Sequence, residues 1–488
     1  MSETDTDLAL TPTQEKALKK ISAFLEDKDM DVFVLTGYAG TGKTTLMKIL
    51  YNRLRKTDLF VSFHASTGRA AKVLSDKTGI IATTIHSLIY RFNGLSEDFD
   101  TIIKDTDNET NILVEDDGQL VLNFSLAEQH AGDKMLLVTD ESSMISDKPD
   151  EHALLARFGT GQLLSDLFTF APKGKFIFLG DPYQLPPVND SLSPALNADY
   201  LSKVKNKRTI CAELTDIVRQ DSDNDIITAA DSIRQMCDSL PRNNWVKFPL
   251  LGYSHILIHK DIEELIMSYT ENISNYGYSS CIMISHSNRK CKQYSLLIRD
   301  ILGLPADRLT EGDLLLVVQN NICGLMNGDF VIVKKVVSEE YRAGLTFLYL
   351  NVEEIDSGRS YTLLLIKELL FSRQANLTPE QQKNLFIDFH IRTNKKHPNI
   401  KQKSQQYVDI MRNDPYVNAL RATFGYVVTC HKAQGGEWKD VYLDISGQLS
   451  RTPPRQNYQW LYTAITRAKE NLHIVNGFYL MQHHAARS

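Results

Sequence analysis

Several features are absent from this sequence, and each absence excludes a class of protein. The six cysteines stand singly with no C-x-x-C pair, so neither a zinc-finger spacing nor a disulfide frame is indicated. No apolar run reaches the length of a membrane-spanning helix. The first seven residues form an acidic and polar segment, which has neither the basic and apolar regions of a secretory signal nor the arginines of a transit peptide. We expect a reduced, cytoplasmic protein with no membrane partner.

A basic excess is also absent. The formal net charge is −6 at pH 7, whereas proteins that bind nucleic acids usually carry a positive excess. A local basic groove can still bind an anionic polymer, so net charge alone does not exclude such a partner. The acid is concentrated in residues 97–117, where Lys104 is the one basic residue, so we do not expect this segment to follow a phosphate backbone.

The clearest positive signal is the stretch Gly37–Thr44, which fits the pattern G-x-x-x-x-G-K-[ST] of a phosphate-binding loop. An apolar run, Val32–Leu35, precedes it and predicts a buried strand, and apolar residues at helical spacing follow it. A glycine-rich loop between a strand and a helix can turn its backbone N–H groups toward phosphates. In this context Lys43 is predicted to reach the β- and γ-phosphates of a nucleotide, and the Thr44 hydroxyl to hold Mg²⁺.

Further apolar runs indicate the domain organisation of the 488 residues, which are too many for one hydrophobic core. Runs at 60–63, 135–138 and 176–179 alternate with helical patterns and predict a parallel sheet covered by helices. A second series at 282–284, 441–443 and 472–475 predicts a second α/β domain. Between its parts, strand-like runs from about 312 to 370 predict an inserted all-β module.

Two segments stand outside this alternation. Residues 90–132 contain Asp117-Gly118 between the apolar runs 112–114 and 120–122, which predicts a β-hairpin. The polar stretch 392–403, with five basic residues, is interpreted as a solvated loop, with phosphate contact as the alternative.

Polar groups follow the predicted strands of the first sheet, where open α/β sheets bind their ligands. Asp140 and Glu141 come just after the run 135–138, and two adjacent carboxylates there suit metal binding and deprotonation of an attacking water. Gln184 lies in a proline-rich segment after the next run and is predicted to sit near the γ-phosphate, although a plain turn is the alternative. Phosphoryl transfer also needs positive charge, for which Arg219 and Arg467 are candidates.

Taken together, these motifs resemble those of superfamily 1 DNA helicases, and most closely the RecD-like/Dda-like branch (superfamily 1B). The resemblance covers roughly residues 8–475. Its most specific part is the stretch 429–438, with His-Lys-Ala-Gln-Gly at its centre, and the stretches 65–72 and 84–86 resemble the family's strand-contacting motifs.

The resemblance implies a role for each matching residue. It implies that the catalytic groups are Lys43, Glu141, Gln184, Arg219 and Arg467. It implies that ATP is bound by Gln14, Gly37, Ala39, Gly40, Thr41, Gly42, Lys43, Thr44 and Thr45, with Mg²⁺ at Thr44 and Asp140. It implies that nucleic acid is contacted by Thr67, Gly68, Arg69, His86, Asn288, Asn327, Thr429, His431 and Lys432.

The implied fold is α/β, with two RecA-like P-loop motor domains, a small β-hairpin insertion in the first and an SH3-like all-β insertion in the second. The expected boundaries are 1–89 and 133–215 for the first motor domain, 90–132 for its insertion, 216–311 and 416–488 for the second motor domain, and 312–415 for the SH3-like insertion. The implied partners are single-stranded DNA and duplex junctions. We expect a monomer and leave protein partners open.

The residues alone leave alternatives. The motifs do not separate DNA from RNA, because the 2′-OH is recognised by local contacts. A translocase that displaces proteins from single strands and a nucleotide-switched binding module also fit. The aromatic side chains Phe63, His86, Tyr426 and Trp438 are available for stacking on bases, but each is equally suited to a hydrophobic core.

Overall fold

The fold was obtained as a computed structural model. It describes residues 10–483 except 56, 58, 96–121, 129–134, 150–155, 189, 217, 219–223, 241–245, 321–323, 373–375, 403 and 446–451.

The first α/β domain is built on a six-stranded sheet in the order β3-β2-β6-β8-β1-β9. Every neighbouring pair in it is parallel, with Val32 opposite Phe176 and Phe63 opposite Val138. Its strands are β1 (Val32–Gly37), β2 (Phe60–Ala65), β3 (Ala82–Thr84), β6 (Met135–Asp140), β8 (Lys175–Gly180) and β9 (Thr209–Leu214). The predicted parallel sheet is therefore confirmed, with β3 and β9 added at its two edges.

The side chains of β1 alternate between the two faces of the sheet, and both faces are covered. Phe33 and Leu35 point into one core with the helices that flank the phosphate loop, whereas Val32 and Val34 point into a second core on the opposite face. Successive residues of a strand face opposite sides, so a continuous apolar run is the pattern of a strand buried twice.

The second α/β domain has a five-stranded parallel sheet in the order β11-β20-β19-β12-β18. Its strands are β11 (Ile256–His259), β12 (Cys281–Ser285), β18 (Val427–Thr429), β19 (Trp438–Leu443) and β20 (Ala468–Val475). A separate parallel pair joins β10 (Phe248–Leu251) to β21 (Leu480–Gln482). All three apolar runs predicted for this domain are strands of the one sheet.

The inserted β module is an antiparallel sheet in the order β16-β15-β14-β13-β17. Its strands are β13 (Leu314–Val317), β14 (Phe330–Arg342), β15 (Leu345–Glu354), β16 (Ser360–Ile366) and β17 (Ala422–Phe424). The four predicted strands are present, and β17 closes the sheet from beyond the expected boundary at 415. The predicted β module is therefore present, but the helices Glu368–Phe371, Pro379–Lys396 and Gln405–Arg412 lie between its last two strands, so residues 312–415 are not all-β. The SH3-like character of the module stays a prediction.

The insertion of the first domain is a three-stranded sheet in the order β4-β5-β7. Strand β4 (Tyr90–Leu95) pairs antiparallel with β5 (Leu122–Leu126), and β5 pairs parallel with β7 (Ala156–Phe158). The turn at Asp117-Gly118 lies outside the described residues. The third strand comes from chain well beyond residue 132, which the sequence pattern did not predict.

The interpretation of residues 392–403 as a solvated loop was wrong for its first part. Residues Pro379–Lys396 form one helix, and Arg392 lies on it with ion pairs to Asp388 and Asp414. The positive charge of Arg392 is therefore paired with two carboxylates of the same protein. A run of basic residues can therefore belong to a helix whose charges are paired by side chains distant in sequence.

Fourteen α-helices connect these strands in the described part of the chain, and none of them combines the length and apolar character needed to cross a bilayer. They are α1 (Pro12–Glu26), α2 (Lys43–Leu54), α3 (Gly68–Thr78), α4 (Ile85–Ile89), α5 (Leu163–Phe170), α6 (Ala198–Lys203), α7 (Ile226–Asp238), α8 (Ile262–Tyr276), α9 (Asn288–Ile301), α10 (Glu368–Phe371), α11 (Pro379–Lys396), α12 (Gln405–Arg412), α13 (Cys430–Ala433) and α14 (Pro454–Ile465).

A fully buried ion pair joins the second domain to its insertion. The Arg299 guanidinium donates to both carboxylate oxygens of Asp313 at 2.6 and 2.9 Å, and both side chains are 0% exposed. We expect Asp313→Asn to lower the free energy of unfolding by about 3–5 kcal/mol, because the arginine charge would remain buried without its partner. Urea titration followed by circular dichroism measures this. The matched control, Asp29→Asn, breaks the exposed pair with Arg208 and should leave the midpoint unchanged; equal midpoints for the two variants would contradict the prediction.

Acid is expected to destabilise the second domain through His473. Burial, reinforced by the neighbouring His259, lowers the pKa of His473 to about 4 from 6.5, although Asp440 opposes this. The unfolded chain then takes up the proton first, so stability should be fully present above pH 6.5 and should fall by about 1.4 kcal/mol per pH unit toward pH 4.

Urea midpoints between pH 7.5 and 4.5 measure this dependence. His473→Phe keeps a ring against Tyr442, whose ring is stacked 4.0 Å away, and should flatten the dependence. The exposed His397 gives the control His397→Phe. An unchanged slope in His473→Phe would contradict the assignment.

Candidate nucleotide and nucleic-acid site

Four of the five predicted catalytic groups, Lys43, Glu141, Gln184 and Arg467, line one cavity of about 310 Å³ between the two α/β domains. The carboxyl ends of β1, β6 and β8 point toward it, as expected for a parallel sheet. The first domain contributes residues 39–45, Asp140, Glu141 and Gln184 to its lining, and the second contributes Arg467. Gly37, the remaining predicted loop residue, ends β1 just before the cavity.

The phosphate loop adopts a conformation that its glycines make possible. Gly40 and Gly42 have φ angles of 81° and 76°, in the left-handed region that favours glycine. Helix α2 begins at Lys43 directly after Gly42 and directs its N-terminus at the cavity. The Lys43 ammonium donates to the carbonyls of Gly37 at 2.6 Å and Tyr38 at 3.0 Å, so the loop itself holds the charge at the cavity.

Gln14 is packed against the back of this loop. Its amide nitrogen donates to the Thr41 carbonyl at 3.1 Å, and its amide oxygen accepts the Thr11 N–H at 3.1 Å in the capping box of α1. A side chain at Gly42 would come within 2.5 Å of the Gln14 amide nitrogen. Gln14 therefore supports the loop, and its contact with ATP stays a prediction.

Asp140 and Glu141 sit where β6 ends. The Glu141 backbone has a φ of 51°, an uncommon conformation for a residue with a side chain, and its N–H donates to Asp140 Oδ1 at 2.9 Å. Burial and the neighbouring Glu141 carboxylate raise the pKa of Asp140, while Lys43 opposes the shift. The chain therefore turns at Glu141 directly after the strand, and both carboxylates line the cavity.

A hydroxyl and a carboxylate at this cavity fit a hard cation. Thr44 and Asp140 both line the cavity beside the phosphate loop. Mg²⁺ prefers oxygen ligands and is usually held by one or two carboxylates together with phosphate oxygens and water. Asp140 is partly buried, and its pKa is raised by desolvation, so a divalent cation would offset the cost of its desolvated charge.

Gln184 connects the two domains at the centre of the cavity. With its amide nitrogen turned toward Glu141, it donates to Glu141 Oε2 at 3.2 Å and its oxygen accepts from Arg467 Nη2 at 3.2 Å. The side chain is 3% exposed, and its segment is fixed by the Leu185 N–H, which donates to Thr463 Oγ1 at 2.9 Å. The proline-rich segment is therefore an anchored part of the site and more than a plain turn.

Arg467 reaches the cavity from just beyond α14. Its guanidinium donates to the carbonyls of Thr463 at 3.0 Å and Gly436 at 3.3 Å, which fix its direction. The other predicted arginine, Arg219, lies outside the described residues.

One contact between the domains was missed at the level of sequence. The Tyr462 hydroxyl donates to Asp181 Oδ2 at 2.6 Å and accepts the Ala39 N–H of the phosphate loop at 3.4 Å. Burial raises the pKa of both side chains. Asp181 lies shortly before Gln184 in the chain and Tyr462 shortly before Arg467, but the sequence gives no sign that the two side chains meet.

Several predicted nucleic-acid contacts are brought together where α3 meets the β module. A Cβ at Gly68 would lie 2.7 Å from the Met326 side chain and 3.3 Å from the Asn327 carbonyl. The Arg69 guanidinium lies over the rings of Phe330 at 5.1 Å and Trp438 at 4.8 Å and is 7% exposed. Arg69 is thus surrounded by protein groups in this structure, and its contact with nucleic acid stays a prediction.

Thr67 is fixed at the start of this same helix. Its hydroxyl accepts the Ala70 N–H at 3.2 Å and so caps α3. The α3 N-terminus therefore depends on Thr67, whose contact with nucleic acid also stays a prediction.

The remaining candidates occupy two other places. Thr429 ends β18, and His431 and Lys432 follow on α13, where burial lowers the pKa of both. Asn288 begins α9 and is exposed. His86 lies apart from these residues, with its ring 5.4 Å from that of Phe158, and burial lowers its pKa as well.

Three of the four aromatic candidates for base stacking belong to hydrophobic cores. Phe63, Tyr426 and Trp438 are 2%, 0% and 5% exposed. The alternative of core packing therefore holds for them, and His86 is the partly exposed one.

Comparison with known proteins agrees with this arrangement. Residues 9–240 match the AAA domain family, and residues 424–475 match the UvrD-like helicase C-terminal domain family. The first match contains the phosphate loop, Glu141 and Gln184, and the second contains His431 and Arg467. The two matched segments therefore both contain residues that line the cavity.

The chain is 23% identical to the uncharacterized protein R530 of Acanthamoeba polyphaga mimivirus, over 94% of this chain and 98% of that protein. It is 27% identical to the ATP-dependent RecD2 DNA helicase of Deinococcus radiodurans over 46% of this chain, but spans only 25% of RecD2. It spans 36% of the protein MJ1519 of Methanocaldococcus jannaschii, at 24% identity over 91% of this chain.

Among solved structures, the Pif1 helicase from Bacteroides in complex with ADP-AlF3 and ssDNA is similar at 18% identity, with a TM-score of 0.47 over 97% of this chain and 93% of that one. The sequence matches are to an AAA domain followed by a UvrD-like helicase C-terminal domain, with a RecD2 helicase among the relatives. On these grounds the chain is similar to the helicases of superfamily 1B.

Proposed function

We propose that this protein is an ATP-dependent DNA helicase that moves 5′ to 3′ along single-stranded DNA and separates duplexes. The observation that carries the proposal is the single cavity in which Lys43, Glu141 and Gln184 of one domain meet Arg467 of the other. Such a site binds a nucleotide at a domain boundary, so hydrolysis can change how the two domains fit together.

Each side chain has a defined part in hydrolysis. Lys43 and the loop N–H groups bind the β- and γ-phosphates, and Glu141 accepts the proton of the attacking water. Gln184, held between Glu141 and Arg467, orients that water and senses the γ-phosphate. Arg467 stabilises the negative charge that builds up on the transferring group. Thr44 and Asp140 would hold Mg²⁺, which when bound neutralises phosphate charge.

The protein would move along DNA if its affinity for the strand differed between the state in which the two domains are closed on ATP and the state in which they are open. The predicted contact residues lie on both domains and on the β module, near Thr67, Asn327 and Thr429. A strand lying across them would be held by two bodies whose separation changes in each cycle. Separating the strands costs about 1.4 kcal/mol per base-pair step. Directed motion of the strand against a wedge can supply this free energy. The 5′-to-3′ direction comes from the family resemblance.

The experiment is ATP hydrolysis by the pure protein with and without single-stranded DNA, at low and moderate salt. Strong stimulation that weakens with salt supports a DNA-coupled motor, because phosphate contacts release counterions. Unwinding of duplexes with a 5′ or a 3′ tail then tests direction, and unwinding from the 3′ tail alone would contradict the proposed polarity.

Three alternatives give different results in the same assays. An RNA helicase would be stimulated more by RNA strands than by DNA strands of the same sequence. A single-strand translocase that strips proteins would hydrolyse ATP with DNA but leave duplexes intact. A nucleotide-switched binding module would turn over slowly with either strand.

A further inference from the structure

The second residue of the phosphate loop reaches across to the second domain. The Arg234 guanidinium lies over the Tyr38 ring, 4.2 Å from its centroid, and Nη1 donates to the Tyr38 hydroxyl at 3.3 Å. Arg234 belongs to α7, whose apolar face packs in the core of the second α/β domain. This cation–π contact therefore joins the nucleotide-binding loop to the opposite domain through side chains that the predicted motifs do not include.

Both partners are held in place by carboxylates of their own domain. The Tyr38 hydroxyl donates to Glu213 Oε1 at 2.6 Å on β9, and burial together with this carboxylate raises the pKa of Tyr38. Arg234 donates to Asp231 Oδ1 from Nε at 2.9 Å and from Nη2 at 2.5 Å. The guanidinium and the phenol are thus oriented before they meet, which limits the entropy lost in the contact.

The contact leads directly to the predicted catalytic lysine. The Tyr38 carbonyl accepts the Lys43 ammonium at 3.0 Å and the Thr41 hydroxyl at 2.9 Å. A displacement of the Tyr38 ring moves its backbone, and the backbone of Tyr38 holds Lys43. The position of α7 is therefore linked to the position of the Lys43 charge through one residue.

The same helix also holds the segment that carries Gln184. The Tyr183 ring lies 6.0 Å from the Tyr38 ring and 5.5 Å from the Arg234 guanidinium, and its hydroxyl donates to Asp238 Oδ2 at 2.9 Å. Asp238 is the last residue of α7. One helix of the second domain thus contacts both loops of the first domain that face the γ-phosphate.

We propose that Arg234 is a positioning residue that couples closure of the second domain to the phosphate loop by stacking on Tyr38. This role depends on the proposed ATP hydrolysis. Domain closure moves α7, α7 moves the Tyr38 ring, and the Tyr38 carbonyl moves Lys43 into register with the γ-phosphate. Nucleotide binding to the first domain alone does not need the contact, since the loop amides, Lys43 and Gln14 are all in that domain.

The test is a double-variant cycle on ATP hydrolysis at saturating single-stranded DNA. Arg234→Gln and Tyr38→Leu are each expected to lower kcat about tenfold, on the scale of one desolvated cation–π contact, with KM for ATP changed by less than about threefold. The double variant should be no slower than the slower single variant, because the two changes remove the same contact. Tyr38→Phe keeps the ring and should lose less than Tyr38→Leu.

The matched control is Arg208→Gln, which removes an exposed arginine of the first domain and should keep the wild-type kcat. Thermal unfolding and binding of a fluorescent ADP analogue identify any variant that fails to fold, and Arg234→Lys, which keeps the charge, should recover part of the rate. Independent losses that multiply in the double variant, or a raised KM with kcat unchanged, would overturn this role alone. No turnover by the wild-type protein would overturn the proposed function and this role with it.

Discussion

Replacing Glu141 by glutamine is expected to lower ATP turnover about 10³-fold, within the range that a positioned general base contributes. The change is isosteric, and it removes the carboxylate that accepts the Gln184 amide at 3.2 Å. An amide cannot accept the proton of the attacking water at neutral pH, so the chemical step should fail while the loop still binds nucleotide. Phosphate release in the presence of single-stranded DNA measures turnover, and a fluorescent ATP analogue measures binding.

Glu470→Gln is the matched control for this change. Glu470 is an exposed carboxylate of the second domain, paired with Lys439 at 3.2 Å, so its loss should leave turnover unchanged. Binding of ATP should stay within a few-fold of wild type in both variants. If Glu141→Gln kept turnover within tenfold of wild type, Glu141 would not be the base, and Asp140 or Asp181 would have to be considered.

The parts of the site that could be predicted are those in which chemistry and local structure share one segment. The phosphate loop was predictable because its glycines, Lys43 and Thr44 are fixed by their own strand and helix. The position of Glu141 followed from the apolar run that ends at Val138, since such a run predicts where the strand stops. The parallel sheets of both α/β domains were also predictable, because each of their central strands contains an apolar run.

The parts that could not be predicted depend on contacts between distant segments. Arg69 was predicted to contact nucleic acid, yet its guanidinium lies between Phe330 and Trp438, which come from the β module and the second sheet. The pairs Tyr462–Asp181 and Arg234–Tyr38 join residues 281 and 196 positions apart. No periodicity or motif reports on such pairs, because they arise only when two separately formed domains pack together.

These distant contacts have a common consequence. Lys72 pairs with Glu354 of the β module, Leu185 is held by Thr463, and Tyr462 holds Ala39. Each contact adds to the cost of separating the first domain from the rest of the chain. A motor that opens and closes must exchange such contacts in every cycle, so their removal is expected to change the rate of the cycle more than the stability of either domain.

Removing the Arg467 guanidinium should lower ATP turnover as strongly as the Glu141 substitution does. Arg467→Ala is expected to lower kcat about 10³-fold or more, the range found for arginines that stabilise phosphoryl transfer from a second domain. Its Nη2 donates to the Gln184 oxygen at 3.2 Å, and the Gln184 nitrogen donates to Glu141, so Arg467 lies beside the predicted catalytic groups. Nucleotide affinity should change far less than kcat, since this arginine is expected to bind the charge distribution of the transition state more tightly than that of bound ATP.

Arg467 also donates to Thr463 and Gly436, so its loss could loosen the end of α14 as well. Arg467→Lys separates the two effects: it keeps a positive charge but lacks the planar donors, and should recover only part of the rate. Arg208→Ala, which removes an exposed arginine paired with Asp29, is the matched control and should keep wild-type turnover. A folded Arg467→Ala protein that hydrolyses ATP within tenfold of wild type would show that charge stabilisation comes from elsewhere, with Arg219 as the first candidate to replace.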